Sequence, residues 1–313
     1  MPTARVERAP AKVNLTLRVL GRRPDGYHEI ESLVVFAAVG DALAFAPGRS
    51  LALAARGPTA AAAGDLADNL VLKAVRALAE RSEGLKVGRF LLSKRLPVAA
   101  GLGGGSADAA AALRLVARHN RIAPDDACLM AAARATGADV PVCLDPRPRL
   151  MRGIGELLSP PLRLPGLPAL LINPRVSVAT RDVFAALNAA PVAEHGPSAH
   201  AAEGFVARGQ AGTAQALSRA DLIAFVSRHG NDLEGPAIAL HPAIAHALAA
   251  LRALPGCRLA RMSGSGASCF GLFDSNRAAA AAARALRVAH PQWWIRSTVL
   301  GGLTKDSGEP SGD

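Results

Sequence analysis

The stretch of this chain whose residue types most clearly suggest chemistry is a glycine-rich run at positions 97–108. It reads Pro-Val-Ala-Ala-Gly-Leu-Gly-Gly-Gly-Ser-Ala-Asp, which places four glycines within five residues. Glycine adopts positive φ without strain and lets a backbone approach a ligand closely. The alanine-rich segment 106–119 has the composition of a helix, and a helix start offers unpaired N–H groups and partial positive charge. The run therefore predicts a phosphate-binding loop, rather than a flexible surface loop.

Two widely used phosphate motifs do not account for this loop. A Walker A loop needs a lysine after its last glycine, and here Ser106 follows instead. A dinucleotide fingerprint begins correctly at Gly101 and Gly103, but its third glycine would stand at position 106. The acidic residues farther on, Asp125 and Asp126, precede a helical pattern and not a strand. The dinucleotide interpretation is therefore the weaker one.

Three segments in chain order resemble the three motifs of the GHMP kinases, a family of small-molecule kinases. They are residues 9–15 (Ala-Pro-Ala-Lys-Val-Asn-Leu), the glycine loop, and residues 261–270 (Arg-Met-Ser-Gly-Ser-Gly-Ala-Ser-Cys-Phe). The resemblance extends over nearly the whole chain. It implies an enzyme that uses ATP and an α+β fold of two domains. The N-terminal domain would resemble the second domain of ribosomal protein S5, and the C-terminal domain would be ferredoxin-like.

Other matches narrow the resemblance to the branch of the family that phosphorylates a cytidine diphosphate alcohol in the non-mevalonate isoprenoid pathway. The most discriminating is Arg-Pro-Asp-Gly-Tyr-His-Glu at 23–29, and further matches lie at 68–70, 137–141, 153–156 and 231–234. The resemblance implies transfer of phosphate to the 2-hydroxyl of that alcohol. Two alternatives stay open: a GHMP kinase of the homoserine or mevalonate type, and a nucleotide-binding module without catalysis.

The resemblance assigns catalysis to Lys12 and Asp139. A carboxylate beside the acceptor hydroxyl can take its proton, and a neighbouring lysine can keep that carboxylate ionised and stabilise developing negative charge. Apart from the resemblance, Lys12 would be read as a solvated strand end and Asp139 as a helix or turn cap. Phosphoryl transfer depends mainly on positioning and electrostatics, which suits so small a catalytic set.

The predicted ATP-binding set consists of the glycine loop and two residues outside it, Asn69 and Lys94, which are expected to contact adenosine. The loop residues in the set are Pro97, Val98, Ala99, Ala100, Gly101, Leu102, Gly103, Gly104, Gly105, Ser106 and Ala107. Ala107 stands where many family members carry a second serine, which leaves Ser106 to supply the hydroxyl contact. Mg²⁺ is expected with ATP, held by phosphates and water because no carboxylate cluster is visible.

The resemblance also implies a cytidine site. Tyr27, the single tyrosine of the chain, offers a flat face for a pyrimidine, and His28 can pair with the cytosine edge. Phe184 is the second aromatic candidate beside the base, with a core position as its alternative. Asn14 is expected to bind the sugar alcohol. The third motif is expected to pack under the phosphate loop.

Periodicity and turn residues predict the elements that must position these residues. Strands are expected at 12–20, 30–39, 42–46, 51–55, 87–92, 167–173, 259–263, 269–273 and 294–300. Helices are expected at 69–82, 106–119, 124–136, 180–187, 236–253 and 276–288. The proline-rich passage 141–174 predicts a boundary between an ATP-binding domain at 1–160 and a second domain at 161–303. Residues 189–215 are expected to be mobile and the tail 304–313 disordered.

Composition excludes several classes of protein. The chain has 313 residues and a formal charge of +11, but its arginines are scattered, which disfavours a nucleic-acid partner. The four cysteines are isolated, which predicts reduced thiols and neither a zinc site nor a disulfide framework. No membrane-spanning or secretory pattern is visible. These features predict a cytoplasmic protein with a small-molecule substrate, present as a monomer or weak homodimer.

Overall fold

The computed structural model describes residues 5–192 and 217–301. Its strands, in chain order β1 to β11, are Arg5–Asn14, Arg18–Arg22, His28–Pro47, Ala52–Arg56, Gly88–Ser93, Arg149–Gly153, Leu157–Leu158, Leu167–Asn173, Cys257–Met262, Cys269–Phe273 and Trp294–Leu300. Its helices, α1 to α9, are Leu70–Ala79, Gly104–Asn120, Ala127–Thr136, Val140–Leu144, Thr180–Leu187, Arg219–Arg228, Glu234–Leu240, Ala243–Arg252 and Asn276–Ala289. The predicted α+β class is confirmed.

All of these strands belong to one sheet, and β3 organises its N-terminal half. The main order is β4-β5-β3-β11-β8-β10-β9, and β1, β2 and β6 also pair with β3. Strand β11 joins the halves, since it pairs along its length with β8 and meets β3 at Leu300 and Ala37. The sheet thus brings the end of β1 close to the β9–β10 turn, although these segments are about 250 residues apart in sequence.

Burial of apolar side chains explains why the predicted helices form. Helix α2 buries an almost continuous run of alanines with Leu113, Leu115 and Val116 against β1, β3 and α1. Small side chains let α2 approach the sheet closely. The close approach fixes the N-terminus of this helix, where the glycine loop ends.

Several predicted elements differ in extent from the observed ones. The strands expected at 30–39 and 42–46 are one strand, β3, because Gly40 accommodates the backbone of Ala9 on β1. The strand expected at 12–20 is divided between β1 and β2. The helix expected at 236–253 is two helices, because His241 precedes a proline and leaves the helical region at φ −137°. Strands β6 and β7 and helices α4 and α6 were not predicted.

The domain boundary near residue 160 stays a prediction. The predicted tail and residues 193–215 of the predicted mobile segment lie outside the described residues. The described start of that segment is held against β2: the Arg22 N–H donates to Ala190 O at 2.8 Å, and the Val192 N–H donates to Arg22 O at 3.0 Å.

Candidate active site

A cleft of about 1250 Å³ runs between the glycine loop and helix α5. Its lining includes residues from all three motif segments. Lys12 and Asn14 come from β1, the glycine loop connects β5 to α2, and Gly264 and Ser265 belong to the β9–β10 turn. The cleft is therefore built by elements from both halves of the chain.

The glycine loop has the backbone geometry that its sequence predicted. Gly101 and Gly103 have φ values of +71° and +59°. A Cβ on Gly101 would lie 2.3 Å from the carbonyl oxygen of Ser263, so only glycine fits there. Gly103 is the N-cap of α2 and has no side chain to cap it, which leaves the first N–H groups of the helix open to the cleft. Such a terminus suits phosphate oxygens.

Lys12 and Asp139 lie together at the cleft, 127 positions apart in sequence. The Lys12 ammonium donates to Asp139 Oδ1 at 2.7 Å. The side chain of Lys12 is 6% exposed and that of Asp139 is 37% exposed. Asp139 is the N-cap residue of α4 but makes no capping hydrogen bond, so its carboxylate is held by the lysine and not by the helix. Its free oxygen is available to a ligand.

Asn14 lies beyond Lys12 in a buried network that includes the third motif. Its backbone N–H donates to Ser263 Oγ at 3.1 Å, and Ser263 Oγ donates to Gly101 O at 2.9 Å. Its Nδ2 donates to Ser32 Oγ at 2.7 Å, whereas its Oδ1 is buried and has no hydrogen-bond partner among the described residues. The third motif thus packs against the loop, and Asn14 offers a hydrogen-bond acceptor beside the cleft.

The aromatic residues predicted for the base also line the cleft. His28, at the start of β3, stacks on Phe184 of α5 with ring centroids 4.7 Å apart. Burial, with a smaller contribution from the charge of Arg22, lowers the pKa of His28. Tyr27 is 58% exposed and stands at the rim. The structure therefore brings His28 and Phe184 together and leaves the Tyr27 ring open to solvent.

The two predicted adenosine contacts differ in their surroundings. Asn69 lines the cleft and caps α1, because its Oδ1 accepts from the Val71 N–H at 3.0 Å. Lys94 lies beneath the glycine loop, where its ammonium donates to Asp41 at 2.6 Å and to Asp108 at 2.7 Å. The Lys94 side chain is only 5% exposed. Its ammonium is therefore committed to two carboxylates, a structural role that the sequence did not predict.

Two members of the predicted ATP-binding set point away from the cleft. Leu102 and Ala107 are each 1% exposed and pack into the core. Leu102 is flanked by two glycines with positive φ, and Ala107 faces the sheet. Their side chains do not line the cleft, and their membership of the ATP-binding set stays a prediction. Leu102 serves the site through its carbonyl oxygen, which accepts from the Lys12 N–H at 2.9 Å. The remaining loop residues of the set line the cleft.

Comparison with known proteins agrees with this geometry. The model of the GHMP kinase N-terminal domain matches residues 69–145, and that of the C-terminal domain matches residues 211–291. A protein of Xanthobacter autotrophicus named 4-diphosphocytidyl-2-C-methyl-D-erythritol kinase is 57% identical over 294 residues, which cover 94% of this chain and 98% of the relative. The chain belongs to the 4-diphosphocytidyl-2-C-methyl-D-erythritol kinase family. It is therefore a GHMP kinase and a small-molecule phosphotransferase.

Solved structures agree with the kinase assignment. A crystal structure of 4-(cytidine 5'-diphospho)-2C-methyl-D-erythritol kinase superimposes with a TM-score of 0.72 at 38% identity and covers 95% of this chain and 100% of that one. A homoserine kinase from Cytophaga hutchinsonii has a TM-score of 0.60 at 21% identity, with 95% of each chain covered, and shares the fold alone. The open alternative of a homoserine-type kinase is thus less well supported.

Sequence reasoning missed the acidic residues under the loop. Asp41 and Asp108 are both 2% exposed, and both bind Lys94. The available signal was Asp108 itself, a single carboxylate in the first turns of an otherwise alanine-rich helix. Thr180 was also missed; its hydroxyl lies 2.8 Å from that of Ser265 in the cleft. Among the described residues, no helix is long and apolar enough to cross a membrane.

Proposed function

We propose that this kinase transfers the γ-phosphoryl group of ATP to the 2-hydroxyl of 4-diphosphocytidyl-2-C-methyl-D-erythritol. The observation that carries the proposal is the 2.7 Å contact between Lys12 and Asp139. This pair borders one cleft together with an N-terminal helix end suited to phosphates and a His28–Phe184 pair suited to a base. An acceptor that carries the reacting hydroxyl on its polyol and a cytosine base at its other end requires a cleft with both kinds of contact.

In the proposed reaction, Asp139 receives the proton of the acceptor hydroxyl. The hydroxyl oxygen then forms a bond to the γ-phosphorus, the bond from that phosphorus to the bridging oxygen breaks, and ADP leaves with the electron pair. Lys12 keeps Asp139 ionised and stabilises charge on the transferring group. The open N–H groups at the start of α2 hold the phosphates in place.

The proposed acceptor lies with its polyol toward β1 and its cytosine toward α5. The unpartnered Oδ1 of Asn14 accepts a hydrogen bond from a polyol hydroxyl. His28 is neutral at pH 7 because its pKa is lowered, so one ring nitrogen donates and the other accepts at the cytosine edge. Tyr27 covers the base from the rim, and Phe184 supports His28.

Mg²⁺ is proposed to enter with ATP. The described residues contain no group of three or more His, Cys, Asp or Glu side chains that would hold a metal ion. The donor set therefore fits an ion held by phosphate oxygens and water, which when bound neutralises phosphate charge. We also propose a cytoplasmic monomer or weak homodimer without a nucleic-acid partner. The four free cysteines agree with a reducing compartment, and sedimentation with and without DNA tests the assembly.

Mass spectrometry of the products tests the proposed function. The purified protein is incubated with ATP and one acceptor at a time. The acceptors are the cytidyl alcohol, its uridine counterpart, homoserine and mevalonate. We expect a single phosphate to be added to the cytidyl alcohol. We expect the uridine compound to be phosphorylated at a much lower rate. Faster phosphorylation of homoserine or mevalonate, or no transfer to any acceptor, would contradict the proposal.

A further inference from the structure

Arg114 is an enclosed cation on α2, the helix that packs against β1 and α4, and the reaction described above does not use it. Its side chain is 16% exposed, and its neighbours Leu113 and Leu115 are fully buried. Burial lowers the pKa of Arg114, and the charge of Glu7 opposes the decrease. The guanidinium has five N–H donors, so a residue this enclosed must find several acceptors within the protein.

On one side, the guanidinium binds the end of α4. Its Nη1 donates to the carbonyl oxygens of Cys143 at 2.5 Å and Leu144 at 3.3 Å. The last carbonyl groups of a helix have no partner within the helix, and an arginine side chain can donate to them. Helix α4 has only five residues, and Asp139 at its N-cap makes no capping hydrogen bond. Arg114 therefore gives this short helix a polar anchor at the end opposite Asp139.

On the other side, the same guanidinium binds β1. Its Nε donates to Glu7 Oε1 at 3.2 Å, and its Nη2 donates to Arg8 O at 2.8 Å. Strand β1 is fixed in the sheet, because it pairs with β3 between Arg5 and Asn14. A guanidinium is planar and holds its donors in a fixed geometry. Arg114 thus ties α4 to a strand whose own position is already set.

The two elements that Arg114 joins are the two that carry the proposed catalytic pair. Lys12 follows Arg8 on β1, and Asp139 stands at the start of α4, one helical turn before Cys143. One turn of helix spans only about 5 Å, so a shift at the end of α4 also moves Asp139. We infer that Arg114 is a positioning residue, which holds Asp139 in place relative to Lys12 and so sets the rate of phosphoryl transfer. This inference rests on the proposed function.

Lysine cannot replace arginine in this bridge. Its ammonium carries three donors at one point, whereas Arg114 directs four hydrogen bonds to two elements. Arg114→Lys keeps a positive charge beside Glu7 but releases α4 from β1. A misplacement of about 1 Å can lower a rate by about 10², so we expect kcat for the cytidyl alcohol to fall by about 10- to 100-fold. The KM values for ATP and the alcohol should change by less than about twofold, since the four bonds lead to β1 and α4 and not to the glycine loop or the His28–Phe184 pair.

A double-mutant cycle separates positioning from a general loss of structure. Arg114→Lys is measured by single-turnover kinetics in the wild type and in Asp139→Asn, and calorimetry of ATP counts the folded sites in each sample. If Arg114 acts through Asp139, its substitution should lower the rate by about tenfold or more in the wild type and by less than about twofold in Asp139→Asn. The same fold-loss in both backgrounds would indicate a merely structural role and would overturn the inference.

Arg118→Lys is the matched control. Arg118 lies one turn further along α2 and also binds Glu7, but this bond goes to the Glu7 carboxylate and not to α4. Its side chain is 50% exposed, so the rate of the variant should stay within about twofold of the wild type. A near-normal rate in Arg114→Lys, or an equal loss in Arg118→Lys, would overturn the inference.

Glu7→Gln perturbs the same bridge from β1 and replaces Arg114→Lys if that variant does not fold. The amide keeps an oxygen for the Arg114 Nε but loses its charge, so we expect a rate loss of about threefold or more in the wild type. That loss should disappear in Asp139→Asn, and its persistence there would overturn the inference. No transfer by the wild type, or a near-normal rate in Asp139→Asn alone, would instead refute the proposed function.

Discussion

Replacing Asp139 by asparagine separates catalysis from structure in this kinase. The amide keeps an oxygen 2.7 Å from the Lys12 ammonium but no longer accepts a proton. If general-base catalysis is the role of Asp139, kcat should fall by about 10²–10⁴. This loss corresponds to about 3–5 kcal/mol in the activation free energy.

The structure also sets the size of the accompanying loss of stability. Breaking a fully buried ion pair costs about 3–5 kcal/mol, whereas an exposed pair contributes less than about 1 kcal/mol. Because the Asp139 side chain is 37% exposed and asparagine still accepts from Lys12, we expect about 1 kcal/mol in the free energy of unfolding. The increase in the activation free energy should therefore be clearly larger than the loss in the free energy of unfolding.

Single-turnover kinetics with ATP and the cytidyl alcohol, beside calorimetry of ATP, measures both effects. Asp145→Asn is the matched control, since Asp145 closes the other end of α4, is also 37% exposed and also bonds a cation, Arg147, at 2.6 Å. It should retain near-normal kcat. Near-normal kcat in Asp139→Asn, or an equal loss in both variants, would refute the assignment of Asp139 as the base.

Three further predictions follow from the same site. Gly103→Val should weaken ATP binding more than binding of the cytidyl alcohol, because φ is +59° and the new Cβ would lie 3.1 Å from Lys12 Cβ; calorimetry with each ligand checks this, and equal losses would contradict it. His28→Ala should remove the preference for cytidine over uridine substrates in steady-state kinetics. Tyr27→Ala should weaken binding of the cytidyl substrate, whereas Tyr27→Phe should not. An effect on ATP binding alone would place the cytosine site elsewhere. Folding raises the pKa of Asp108 from its ordinary value of 3.8 to about 7. The contribution of Asp108 to the free energy of unfolding is therefore fully present at low pH and is lost as pH rises through 7. Urea unfolding at pH 5 and pH 8 should show the wild type losing on the order of 2 kcal/mol relative to Asp108→Asn, and parallel pH profiles would contradict this.

Local signals in the sequence determined much of this protein. The strand at 167–173 and the helix at 180–187 occur where apolar patterning predicted them. The strand is buried on both faces, between two core clusters, and Val183 of the helix packs in one of these clusters. The glycine loop was equally predictable, since glycine spacing before an alanine-rich helix leaves little choice of backbone. The order of the three motifs sufficed to identify the family, and the relatives bear that out.

Only the tertiary structure decided how distant residues share the cleft. Lys12 meets Asp139 across 127 positions, and Lys94 meets Asp41 across 53, because the sheet and α2 bring those backbones together. Sequence spacing carries no information on such contacts. It also cannot show which charges lose their solvent. The ammonium of Lys94 is buried between Asp41 and Asp108, although the residue lines the cleft and its contact with adenosine stays a prediction. Burial and long-range packing assign these roles, since an ammonium removed from water must find carboxylates within the protein.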